Sequence, residues 1–173
     1  YTNIEQRPNA QVRPTKVFAD YIRHFMPNKD IIDYFNVSHF HMDHMGNLEN
    51  EYTKDESGTY TLAGVTALYH HIPFIGVIDR AYGNYDGLKV NSMSEAALAN
   101  YRKFLEYQVA KKALYPSQFK LGAVNQFAMK YNAAAYPNLR IENVGGNCCI
   151  WKNNQSGDIY AQKGAAKAEN AAA

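Results

Sequence analysis

Six consecutive residues, His39-Phe40-His41-Met42-Asp43-His44, carry four side chains able to ligate a metal ion, and Gly46 follows two residues later. Neutral imidazole nitrogens combined with a carboxylate oxygen suit zinc and similar divalent ions. On an extended backbone alternate side chains share a face, so His39, His41 and Asp43 are expected to converge on one side. His44 breaks that alternation and needs a turn, which would let the same short segment serve a second ion. A bound divalent cation lowers the pKa of its water toward neutrality and so yields a nucleophile at ordinary pH. The chemistry expected is attack on an ester, amide or phosphodiester centre while the ion polarises its oxygen.

This segment resembles the signature of the metallo-β-lactamase-fold hydrolase superfamily, His-x-His-x-Asp-His placed just after a buried strand. Residues 31–38 read as that strand, and Ser38 takes the small hydroxyl position usual before the first His. The resemblance implies zinc, as one or two ions. It assigns His39 and His41 to the first ion, Asp43 and His44 to the second, and Asp43 to the catalytic centre. Weaker likenesses, His71-Ile72-Pro73 with Val77-Ile78-Asp79-Arg80 and then residues 121–131 and 141–151, are similar to a branch related to the nuclease-like domain of competence DNA-uptake proteins. The implied fold is an α/β protein, a metallo-β-lactamase-like αβ/βα sandwich that here lacks its first strands and its C-terminal part. The family supplies further ligands from later loops, yet no His follows His71. The missing ligands are expected from the rest of the polypeptide or from a partner chain, the alternative being their loss, which leaves a one-metal or inactive relic. The expected substrate is a small molecule or a phosphodiester. The rival expectation is a non-catalytic binding or assembly module that retains the motif.

The elements that must position these residues follow from periodicity. Residues 16–26 place Val17, Phe18, Tyr21, Ile22 and Phe25 at helical spacing. Residues 31–38 form the strand that delivers the motif, and residues 50–60 form a charged loop. Residues 62–71 predict a helix packing through Leu62, Val65, Leu68 and Tyr69, and residues 74–79 a short buried strand. Residues 80–90 hold Gly83, Asn84, Asp86 and Gly87 and predict a loop. Ser92-Met93-Ser94-Glu95 matches a capping box that opens a helix to about residue 114, with Leu98, Tyr101, Leu105 and Val109 as its apolar face and Pro116 as its stop. Residues 126–131, 139–144 and 148–152 read as short strands. The metallo-hydrolase-like domain is expected over residues 1–160, followed by an Ala-rich tail over 161–173.

Other residues carry weaker expectations. His24 belongs on the polar side of the first helix, and His70 and His71 at a solvent-facing helix end, where a basic side chain is favourable. Asp79 falls at a strand's carboxyl end, where α/β sites gather; it is expected either to orient a ligand His or, with Arg80, to hold the loop as an ion pair. Tyr82, Tyr85 and Trp151 are candidate cleft-lining residues. The adjacent Cys148 and Cys149 are not suited to bridging each other. The net charge of +2 is too small to argue for nucleic acid, and no run of apolar residues is long enough to span a membrane. The 14 tyrosines and frequent asparagines lean toward a secreted or extracytoplasmic protein.

Overall fold

Pro14 occupies the first turn of the opening helix, α1 (Pro14–Phe25), where its missing N–H costs nothing. The computed structural model describes residues 11–26, 30–49, 53–146, 149–152 and 155–158. After α1 come β1 (Ile32–Asn36), the one-turn α2 (Met42–Met45), α3 (Val65–His71), β2 (Phe74–Asp79), α4 (Ser92–Ala110) and β3 (Tyr115–Gln118). A 3-10 turn at Ala133–Ala135 precedes β4 (Gly145–Gly146), β5 (Cys149–Lys152) and β6 (Gln155–Asp158). The expected tail over 161–173 lies outside the described residues, as does Cys148.

The fold is mixed α/β. One sheet is parallel, in the order β1-β2-β3, and the other is antiparallel, in the order β4-β5-β6. β2 is the central parallel strand, pairing Tyr34 with Gly76 on one side and Val77 with Pro116 on the other. Central position explains its near-continuous burial: Phe74, Val77, Ile78 and Asp79 are all inside. The main core joins Phe74 and Val77 to Phe104, Tyr101 and Leu105 of α4, with Phe40 from the histidine segment. Each fully buried Phe contributes about 2–3 kcal/mol. A smaller cluster of Ala19, Leu68 and Ile72 attaches α1 and α3. Among the described residues no helix is long and apolar enough to cross a membrane.

Several expected boundaries move, each for a local reason. Residue 92 is not the cap of α4. Asn91 is, accepting a hydrogen bond from the Ser94 amide at 2.8 Å. α4 ends at Ala110 rather than near residue 114, where Lys112 takes a positive φ of 56°. Pro116 therefore does not stop the helix; it lies within β3, an edge strand, which tolerates proline. Val109 is exposed, and Gln108 is buried instead, donating to the Tyr60 hydroxyl at 2.9 Å. α3 starts three residues later than expected because Gly64, at φ 49°, occupies its N-cap. Residues 126–131 and 139–144 are loop, not strand, while β6 was not expected.

Gly64 and Gly46 fix how α3 meets the histidine segment. A Cβ on Gly46 (φ 109°) would lie 2.5 Å from the Gly64 Cα, so the two backbones touch with no room for a side chain. Gly58 has a similar positive φ of 73° but open space around it. Gly64→Ala should therefore cost about 3 kcal/mol or more, from overpacking added to backbone strain, and Gly58→Ala only about 1 kcal/mol. Thermal melts check this: the Gly64 variant should lose roughly 10 °C in Tm, and equal losses for the two variants would contradict the close crossing.

Candidate metal centre

The histidine segment leaves β1 at its carboxyl end. His41 is still extended (φ −77°, ψ 151°) and caps α2, whose turn is closed by His44 N and Met45 N bonding to His41 O at 3.0 Å. The alternation expected from sequence thus ends at His41, and Asp43 arrives through a helical turn instead. Phe40 and Met45, both buried, point into the core and leave the polar side chains outside. The Met42 amide bonds to the Ser94 hydroxyl at 3.1 Å. Ser94 is fully buried at the start of α4, so the long helix holds the short one in place.

One donor atom each from His39, His41 and Asp43 lies within 4.8 Å of the others. The rings of His39 and His41 meet edge to face at 4.7 Å. His44 stands beside this trio. Its ring lies 3.9 Å from that of His39, and its Nε2 is 3.7 Å from Asp43 Oδ2. Asp43 therefore lies within reach both of the first two histidines and of His44. Ser38 Oγ bridges the outer two rings, 3.2 Å from His39 Nδ1 and 3.0 Å from His44 Nδ1.

Zinc bound at about 2.0–2.1 Å to each nitrogen places tetrahedral ligand atoms about 3.4 Å apart. The trio must draw in by about 1.4 Å at most, within the reach of side-chain rotation. Asp43 is 60% exposed, so its side chain has room to rotate. The residues present fit a divalent ion as a three-ligand set with open positions. Among the described residues no other group of His, Cys, Asp or Glu is gathered this closely.

Asp79 supports this centre from below. Its carboxylate, fully buried at the end of β2, accepts four hydrogen bonds: from the amides of Ala81 (2.7 Å) and Tyr82 (2.6 Å) and the hydroxyls of Tyr85 (2.7 Å) and Tyr101 (2.9 Å). It holds the loop, as one expectation had it, but through amides and phenols rather than an ion pair. The rings of Tyr85 and Tyr101 lie 5.9 Å and 6.2 Å from that of Phe40, the residue between the first two histidines. Tyr85 is thus a structural support, and with Tyr82 it also lines a separate cavity of about 510 Å³. Trp151 packs on Gly122, where a Cβ would come within 2.5 Å of the indole.

Two cavities flank the cluster. The larger, of about 850 Å³, has Asp43 and His44 in its wall, together with His70, His71 and Arg13 and an apolar lining that includes Phe18, Phe35 and Leu68. His70 and His71, expected at a solvent-facing helix end, thus share a cavity with the motif, and the packing of α3 beside α1 brings them there. Burial, and then the neighbouring charges of His70, Lys16 and Arg23, lower the pKa of His71, which favours its neutral form. His24 is exposed, as expected. The smaller cavity, of about 350 Å³, opens beside Ser38. Compared with protein-family models, curated proteins and solved structures, the chain matches none.

The buried phenols predict an alkaline weakness. Burial, and then the charge of Asp79, raise the pKa of Tyr85 and Tyr101 above the ordinary 10.0, and burial raises Tyr60 to about 12. Above pH 10 the unfolded chain releases protons that the folded chain keeps. The stability these groups confer is complete below that pH and declines as pH rises through the folded values. Chemical denaturation at increasing pH, followed with the tyrosinate absorbance band, should show phenols that ionise only with unfolding. Tyr85→Phe should flatten the decline; an unchanged slope would refute the assignment.

Proposed function

We propose that this protein is a metal-dependent hydrolase in which His39, His41 and Asp43 hold a divalent ion, zinc by donor chemistry, for the cleavage of an ester, amide or phosphodiester. The observation that carries this reading is the convergence of two imidazoles and a carboxylate within 4.8 Å at the carboxyl end of a parallel strand, bordered by a cavity large enough for a small substrate. The resemblance of residues 39–44 to the metallo-β-lactamase-fold hydrolases supports it and suggests the finer fold. The ion, when bound, supplies an activated water and polarises the substrate's oxygen. Met42 and Ser94 fix the turn that brings Asp43 to the histidines. His44, next to Asp43, either orients that carboxylate or adds a donor. Substrate enters from the larger cavity, which has Asp43 and His44 in its wall beside an apolar lining.

A second reading is a non-catalytic module stapled by the same ion. One observation favours it: among the described residues the gathered set stops at three ligands. Further ligands from more polypeptide or a partner chain would separate the two readings.

The grouping of Asp43 with His39 and His41 makes the test specific. His41→Ala and Asp43→Ala should both empty the same ion site, weakening metal binding about 100-fold or more, while His44→Ala should leave it bound with a smaller loss, on the order of the 10–100-fold typical of supporting residues. Elemental analysis and metal titration measure this, alongside hydrolysis of generic ester and phosphodiester substrates with and without chelator. No metal at neutral pH in the wild-type protein would defeat both readings. Stoichiometric metal without turnover on any substrate class would leave the stapled module.

A further inference from the structure

The smaller cavity lies where all three parallel strands end. Asn36 and Ser38 enter it from β1, Arg80 from just beyond β2, Gln118 from the end of β3, and Cys149 from β5. Ligands of open parallel sheets bind in this crevice, beyond the carboxyl ends of the strands. Its polar lining is rich in donors: a guanidinium, two carboxamides and a hydroxyl. Among the described residues around it there is no carboxylate. The guanidinium is held in place, 5.9 Å over the Phe40 ring, while Gln118 Nε2 donates to the Arg80 carbonyl at 3.0 Å. The cavity also touches the candidate metal centre, because Ser38 lines it and hydrogen-bonds His39 and His44.

We propose that this cavity is an oxyanion-binding site, taking a phosphate or carboxylate group on Arg80 with Ser38, Asn36 and Gln118 as neutral donors. The planar guanidinium fork matches two oxygens of either group, and charge-assisted bonds of this kind are the strong ones. The volume of about 350 Å³ suits such a group with a short attachment. Placed beside the histidines, the anion is a handle on the molecule to be cleaved. That last role rests on the hydrolase reading; the anion site itself does not.

Cys149 makes occupancy measurable. Its thiol is free and lines the cavity, so a bound anion shields it. In Cys148→Ser protein, Cys149 is the one remaining thiol. The alkylation rate of Cys149 is followed by mass spectrometry after chelator treatment, in inorganic phosphate, acetate or chloride at equal ionic strength. At an anion concentration about four times Kd, mass action leaves about one-fifth of the sites open, so the rate should fall about fivefold. Arg80→Gln should weaken anion affinity about tenfold or more, which at the same anion concentration removes most of the fivefold protection, and Arg80→Lys should retain part of it. Stronger protection by phosphate assigns a phosphoryl group, and stronger protection by acetate assigns a carboxylate. Failure of both anions to protect beyond chloride overturns the proposal, whether or not the Arg80 variants fold. So does full protection in an Arg80→Gln protein with unchanged circular dichroism. Because the metal has been removed, neither result depends on whether residues 39–44 bind an ion.

Discussion

A buried carboxylate must find donors for its charge or the fold cannot keep it. Asp79 finds four, and they come from three parts of the chain: the turn after β2, the loop at Tyr85, and the middle of α4 at Tyr101. The central strand, the following loop and the long helix therefore meet at one side chain. The same phenols present their rings to Phe40, whose burial turns the flanking histidines outward. An apolar residue at position 79 would pack, but it would leave two tyrosine hydroxyls and two amides without their acceptor. The arrangement thus depends on charge in the interior, made tolerable by a full set of donors.

The elements that build this frame were legible where the periodicity was long or the burial complete. The apolar run at residues 74–79 is the central parallel strand, with Phe74, Val77, Ile78 and Asp79 buried, and α4 follows a helical repeat through Leu98, Tyr101 and Leu105. Boundaries were less legible. Ser92 and Asn91 both make good caps, and sequence favoured the pairing with Glu95, whereas the Asn91 carboxamide reaches the Ser94 amide. Pro116 looked like a helix stop because its tolerance at an edge depends on which strands neighbour it, and that is a tertiary fact. Residues 121–144 carry Val, Ile and Tyr without sustained alternation, and most are exposed; their content suggested strands that no core requires.

The gathering of His39, His41 and Asp43 was legible because their chemistry lies in neighbouring positions. The turn that delivers Asp43 was not, because it depends on where extended chain gives way to helix, and Ser94, fifty-two residues after Met42, holds that point. The supporting role of Asp79 was half visible: its place at a strand end drew attention, but its phenolic partners lie six and twenty-two residues away. The two cavities were invisible, since each draws its walls from distant segments.

The contact of one hydroxyl with two imidazoles constrains where protons can be. Ser38 has a single hydrogen, yet its oxygen lies within bonding distance of Nδ1 on both His39 and His44. If both contacts are hydrogen bonds, at least one ring must bring its own proton on Nδ1. In its neutral form that ring then has its lone pair on Nε2, turned away from the serine and available to an ion. When the serine donates its hydrogen bond to the other ring's Nδ1, that ring, if neutral, carries its hydrogen on Nε2, which is then a donor rather than a ligand. A hydroxyl one residue before the first histidine therefore couples the tautomers of two rings, so that the choice made by one limits the choice open to the other.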